Sequence, residues 1–115
     1  MKQKLMSVLV AAGLLAVNPA LSAQQKISDG VVKIGVLTDM SGTYSDLAGP
    51  GSLLAVEMAV KDFVAKEKPN FKVEIVSADH QNKGDISANK AREWFDRDQV
   101  DVIVDLVTTS TGWRS

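Results

Sequence analysis

Hydrophobic positions follow two alternating rhythms along this chain. Val31, Val32, Ile34, Val36 and Leu37 form a β-branched run in which only Lys33 is polar, the pattern of a strand covered on both faces. From Pro50 and Gly51 the spacing becomes helical, with Leu53, Val56, Val60, Phe63 and Val64 inside one apolar stripe about 100° wide. Lys68-Pro69-Asn70 ends that helix, because proline cannot continue it and biases its predecessor away from the α region. Phe71, Val73, Ile75 and Val76 make a second strand that runs to Ala78-Asp79. Asp85 is the expected N-cap of a second helix, in which Ala88, Ala91, Trp94 and Phe95 share one face. Val100 to Val107 reads as a third strand, interrupted by Asp101 and Asp105.

The order βαβαβ is half of a doubly wound parallel sheet of the α/β class, with right-handed crossovers. In such a sheet the loops after the strands emerge on one edge, and small molecules bind there. The first loop offers Thr38, Asp39, Ser41, Thr43, Tyr44, Ser45 and Asp46; the second Asp79, His80, Gln81, Asn82 and Lys83; the third Thr108, Thr109, Ser110 and Thr111. These are hydrogen-bonding groups and not a catalytic set. They suit a carboxylate or another small polar group held without covalent chemistry.

The segment before the first strand changes the setting. Lys2 and Lys4, the apolar run Leu5 to Val17, Pro19, and the small residues Ala20, Ser22 and Ala23 form a secretory signal peptide over residues 1–23. The run is well short of the roughly 20 residues a membrane-spanning helix needs. Ala20-x-Ser22 favours cleavage after Ser22 over cleavage after Ala23. The mature segment, residues 24–115, is expected in the periplasm as a monomer. Removing Lys2 and Lys4 from 13 basic residues leaves 11 against 14 acidic ones, a formal charge of minus three. A mildly acidic chain with scattered positive charges lacks the basic patch that nucleic acid or an anionic membrane surface requires. Cysteine is absent, which excludes disulfides, thiolate chemistry, cysteine-based zinc sites and an N-terminal lipidated cysteine.

Enzymatic readings find little support in the residues. His80 has Asp79 beside it and Ser77 nearby, but adjacent side chains on an extended segment point to opposite sides, and a triad must converge. It reads as a loop histidine that bonds backbone. One histidine with scattered carboxylates shows no metal-ligand spacing, so no metal is expected. Gly49-x-Gly51 imitates a dinucleotide fingerprint, yet Leu54 occupies the third glycine position and the pair lies a dozen residues past the strand. Both glycines read as backbone freedom at the helix entry, with Pro50 near its first turn, and no cofactor is expected. Tyr44 stands where its ring either covers a ligand or packs against the next helix. Asp105, inside an apolar run, must be paired or hydrogen-bonded if buried, through a neighbouring loop or through a ligand.

Three segments carry a resemblance to a known family: Val32 to Gly42 (VKIGVLTDMSG) with Tyr44 to Gly51, then Ala78 to Lys83 (ADHQNK), then Val102 to Thr111 (VIVDLVTTST). In that order they resemble the N-terminal part of the solute-binding proteins of branched-chain amino acid ABC importers, the leucine-binding protein family. The resemblance implies two α/β lobes joined by a hinge that close on a small-molecule solute for delivery to a cognate membrane permease. It also implies Tyr44 and Leu47 as side-chain contacts, and Thr108, Thr109, Ser110 and Thr111 as the seat of the ligand's carboxylate. Members similar in these segments bind leucine-like amino acids, amides, urea or aromatic acids. Similar two-lobed domains also serve as ligand-sensing receptors, a second reading, and a secreted Rossmann-like oxidoreductase is a third. Family members are several times longer, so residues 24–115 are expected to be a truncated N-terminal lobe that by itself binds weakly or not at all. N-terminal sequencing of the exported protein is expected to find Ala23 or Gln24 first, and a secreted chain still starting at Met1 would overturn the signal-peptide reading.

Overall fold

A computed structural model describes residues 29–113, so the signal peptide assigned to residues 1–23 lies outside the described residues. The chain runs β1 (Val31–Thr38), α1 (Gly49–Glu67), β2 (Lys72–Asp79), α2 (Gly84–Asp96), β3 (Val102–Val104) and a short α3 (Thr109–Gly112). The sheet order is β2-β1-β3 and every pairing is parallel. All eight residues of β1 pair in register with β2, from Val31 opposite Lys72 to Thr38 opposite Asp79, and Ile34 to Val36 pair with Val102 to Val104. A central strand with a neighbour on each side and helices toward its faces is apolar on both sides, which is why β1 carries the continuous apolar run, its second half fully buried and its first half partly so. The α/β class read from the sequence is the one observed.

The two faces of the sheet are covered unequally. On one, Leu37, Ala91, Trp94 and Val100 form a buried cluster, joined by Val76, Ala78, Ile103 and Leu106. The Trp94 indole lies directly on the backbone of β1: a Cβ added at Gly35 would fall 2.5 Å from its Cζ3 and 3.2 Å from Val100 Cγ1. Glycine in mid-strand, normally a weakness, is what lets the indole seat there. On the other face, Val56, Val60 and Phe63 of α1 lie over Val32, Ile34, Val73 and Val104, with the Phe63 and Phe71 ring centroids 6.4 Å apart. This side remains an open apolar groove, and Phe63 is 42% exposed. The helical stripe read from the sequence is present but only partly covered.

Three sequence expectations are corrected. Asp85 does not cap α2: Lys83 is the N-cap, extended at φ −115 and ψ 119, and its carbonyl accepts the Ser87 N–H at 3.0 Å. Left-handed turns at Gln81 and Asn82 bring the chain into the helix earlier, placing Asp85 in the first turn, where its charge still meets the positive end of the helix. Phe95 does not share the buried face of α2, being 49% exposed; Ser87, Ala88, Ala91 and Trp94 fill it at helical spacing. The third strand is three residues long, not eight. Asp105 turns left-handed at φ +69 and ends the ladder on one side. On the other, the Asp101 carboxylate accepts the Lys33 N–H at 2.7 Å while the Asp101 N–H donates to the Lys33 carbonyl at 2.9 Å.

The contact at Gly35 yields a stability test. Gly35→Ala overpacks the indole and is expected to cost about 1–3 kcal/mol, read as a lower denaturation midpoint. Gly51→Ala, whose new methyl meets nothing within 4 Å, is expected to be neutral or to stabilise by up to about 1 kcal/mol. Equal effects at the two positions would contradict this packing.

Candidate functional site

Parallel pairing places the three loops after β1, β2 and β3 on one edge, and each opens on an aspartate. In loop one Asp39 is fully buried, and its carboxylate accepts the Gly42 N–H at 2.6 Å and the Tyr44 N–H at 2.9 Å. A Cβ at Gly42 would lie 2.6 Å from Asp39 Oδ1, so the turn closes on the carboxylate only with glycine. The Leu47 and Ala48 amides then donate to the Tyr44 carbonyl at 3.0 Å. Gly49, at φ +56, donates its N–H to Thr38 Oγ1 at 3.0 Å, and a side chain there would meet the Asp39 carbonyl at 2.8 Å. Gly49 therefore supplies the backbone freedom read from the sequence, while Gly51 faces open space and does not. Tyr44 and Leu47 stand on the outside of this rigid turn, 37% and 84% exposed.

Loop two clamps loop one. The Asp79 carboxylate accepts the Met40 N–H at 2.9 Å, the Gln81 N–H at 2.8 Å and the Ser41 hydroxyl at 2.5 Å. Burial works to raise the pKa of Asp79, but the bonds from Ser41, Met40 and Gln81, with His80 nearby, outweigh it and hold the group below the usual carboxylate range. His80 is fully buried; its N–H donates to the Thr38 carbonyl at 2.9 Å and its Nδ1 accepts the Asn82 N–H at 3.0 Å. The sequence reading of a histidine bonded to backbone matches this geometry. Since Nδ1 accepts, the ring proton sits on Nε2, which is buried without a hydrogen-bond partner. Burial depresses the His80 pKa by more than the carboxylates of Asp39, Asp79 and Asp105 raise it, so the ring is neutral at pH 7.

Loop three gathers the hydroxyls. Thr108 is the N-cap of α3 in a capping box with Thr111, whose hydroxyl donates to the Thr108 carbonyl at 2.8 Å. Thr108 Oγ1 donates to Asn82 Oδ1 at 3.0 Å and lies 3.1 Å from both Ser110 Oγ and Thr111 Oγ1. Thr111 is fully buried, and its carbonyl accepts the Ser87 hydroxyl of α2 at 3.1 Å. Thr109 and Ser110 are exposed. The six candidate residues thus separate into exposed residues, Tyr44, Leu47, Thr109 and Ser110, and a less exposed supporting pair, Thr108 and Thr111. Asp105, read as paired if buried, leaves its Oδ2 buried without a hydrogen-bond partner. Among the described residues no group of three histidine, cysteine or acidic side chains is placed to hold a metal ion.

Sequence reasoning missed the supports of this edge. Asp39 followed by Gly42 has the aspartate-first, glycine-fourth signature of a tight turn and was detectable. Asp79 and Asn82 act on partners 39 and 26 positions away, and no local pattern announces that.

The described fold is shared with solved proteins. A periplasmic binding protein from Burkholderia mallei is 49% identical over 75% of this chain and 23% of its own length, with a TM-score of 0.68. A branched-chain amino acid ABC transporter periplasmic ligand-binding protein from Burkholderia xenovorans LB400 is also 49% identical, over 72% of this chain and 22% of its own, at a TM-score of 0.64. A leucine-binding protein from Thermotoga maritima is 27% identical over 72% and 23%, at a TM-score of 0.60. The chain therefore spans less than a quarter of the length of each structure. A search of curated proteins returns no match. The family model described as "Periplasmic binding protein" matches residues 31–114, across all three strands and their loops. That match covers more than half of the chain and the fold is shared at 49% identity, so this chain belongs to the periplasmic binding protein family.

Proposed function

We propose that this chain carries one wall of the cleft of a periplasmic solute receptor, and that the group it holds is the carboxylate of an amino acid or a related small solute. The observation that carries this reading is the third loop. There the capping box of half-buried Thr108 and buried Thr111 fixes the backbone, and Thr109 and Ser110 stand exposed beside it. Hydroxyls carried on a turn fixed in this way suit a carboxylate, and hydrogen bonds to a charged group contribute about 1.5–3 kcal/mol each. Tyr44 and Leu47, on the neighbouring loop, supply the apolar contacts that a leucine-like side chain needs.

The names of the 49%- and 27%-identical structures support the same class of ligand. In this reading the leader of residues 1–23 is removed on export, residues 24–115 form the first part of one lobe, and the receptor delivers its solute as a monomer to a membrane permease. No reaction is catalysed: the edge holds donors and no activated nucleophile.

The test is a chimera in which residues 31–113 replace the matching segment of the Burkholderia mallei protein. Thermal-shift screening is expected to show stabilisation by free L-amino acids and not by their carboxamides. Ser110→Ala is expected to weaken the binding of the best ligand by about tenfold or more. Asp79→Asn, which loosens the clamp on loop one without touching the ligand, is expected to raise Kd as well. Equal stabilisation by acids and amides, or unchanged affinity in Ser110→Ala, would rule out the carboxylate reading.

A further inference from the structure

We infer that Asn82, held through its backbone by the His80 ring, is a positioning residue that sets the direction of the Thr108 hydroxyl and so decides which hydroxyls of the third loop donate. A threonine hydroxyl has one proton. Thr108 gives it to Asn82 Oδ1 at 3.0 Å, and an amide oxygen can only accept, so the direction is fixed. Thr108 Oγ1 then presents only lone pairs to Ser110 Oγ, 3.1 Å away. The Thr111 proton is committed to the Thr108 carbonyl at 2.8 Å. Ser110 is therefore the donor of its pair with Thr108, its one proton held by Thr108 Oγ1 and not turned outward, and only a reversal of the pair would free it. Remove the Asn82 oxygen and Thr108 turns its own proton into the cluster, reversing the polarity of the Thr108–Ser110 pair.

Asn82 holds its place because the turn beneath it is fully bonded. Gln81 and Asn82 both adopt left-handed backbone, at φ +53 and +55, a conformation that asparagine tolerates better than most residues. The Gln81 N–H is held by Asp79, the Asn82 N–H by His80 Nδ1, and the Lys83 N–H by the His80 carbonyl at 2.8 Å. The bond from Asn82 requires Nδ1 without a proton. Protonation would set two donors face to face and release the turn, so the relay Nδ1–Asn82–Thr108 is sensitive to acid.

The charged groups facing the ring are Asp39 after β1, Asp79 at the end of β2 and Asp105 after β3, and all three favour the protonated form. Burial opposes them and prevails. Because the folded ring takes up its proton at lower pH than an unfolded histidine, the relay is intact at neutral pH. It is lost as pH falls below the ordinary histidine value of 6.5. Asp105 Oδ2, buried without a partner, offers the charged ring an acceptor in the same cluster.

This inference rests on the third loop being the ligand's seat, but its test reads the hydroxyls without a ligand, so failure of the chimera to bind leaves it standing or falling on its own. His80 is the only histidine, and its ring nitrogens can be followed by NMR in the isotopically labelled 115-residue chain. At pH 7.5 Nδ1 is expected to be the unprotonated nitrogen. On acidification the ring and the Thr108 amide and methyl signals are expected to move with one shared midpoint below 6.5. In Asn82→Ala the ring still titrates while Thr108 no longer follows it; Asn82→Asp, which keeps an acceptor oxygen and tolerates the left-handed turn, restores the coupling. At pH 7.5, with no acid present, Asn82→Ala is expected to shift the Ser110 and Thr108 signals together. A proton on Nδ1 at neutral pH, a Thr108 response unchanged in Asn82→Ala, or unmoved Ser110 and Thr108 signals in that variant would each overturn the relay.

Discussion

A parallel strand cannot reverse onto its neighbour; the chain must cross over and re-enter from the same end. With β1 between β2 and β3, that constraint sends all three exits to one edge and buries the central strand most deeply where it approaches that edge. The identity of the residues follows from it. Val36, Leu37, Thr38 and Asp39 are fully buried in succession, and the last two are polar because they lie where the strand leaves the sheet and its neighbours begin to need hydrogen bonds. Thr38 Oγ1 receives the first amide of α1, and Asp39 closes the turn that leads there. Strand, turn and helix are therefore one assembly, with the loop edge as its product.

The three loops at that edge are joined by side chains more than by backbone. Ser41 reaches Asp79, Asn82 reaches Thr108, and Ser87 reaches Thr111, each bond crossing from one chain segment to another. Buried polar groups are costly unless satisfied, and a network that satisfies nearly all of them leaves its members little freedom. Rigidity of this kind suits recognition: donors already aimed at a ligand lose less entropy on binding than donors on mobile loops. Among the described residues, His80 Nε2 and Asp105 Oδ2 are buried without a hydrogen-bond partner, and the His80 ring joins the network through its bond from Asn82.

What the sequence revealed follows the range over which each signal acts. The β1 run, the stop at Pro69 and the hydroxyl-rich loops are local patterns, and each corresponds to an observed feature within a residue or two. The errors arose where backbone turned left-handed without glycine: at Gln81 and Asn82, which moved the start of α2, and at Asp105, which shortened β3. Propensity assigns such conformations little weight, and here long-range bonds stabilise them. Asp79 shows the same limit for the site. Nothing within five residues of it reveals a carboxylate that orders a loop 38 positions earlier.

Unequal cover on the two faces of the sheet also sets the order in which the molecule comes apart. α2 sends Ser87, Ala88, Ala91 and Trp94 into the interior, whereas α1, though longer at 19 residues, fully buries only Gly49 at its first position. Segments with few buried contacts open at low free energy, so α1 is the first element to let go. Its tether lies at the Thr38–Gly49 bond, beside the three loops, so loosening begins at the far end near Glu67 and travels toward them. The loop edge is thus the part of α1's surroundings that stays ordered longest.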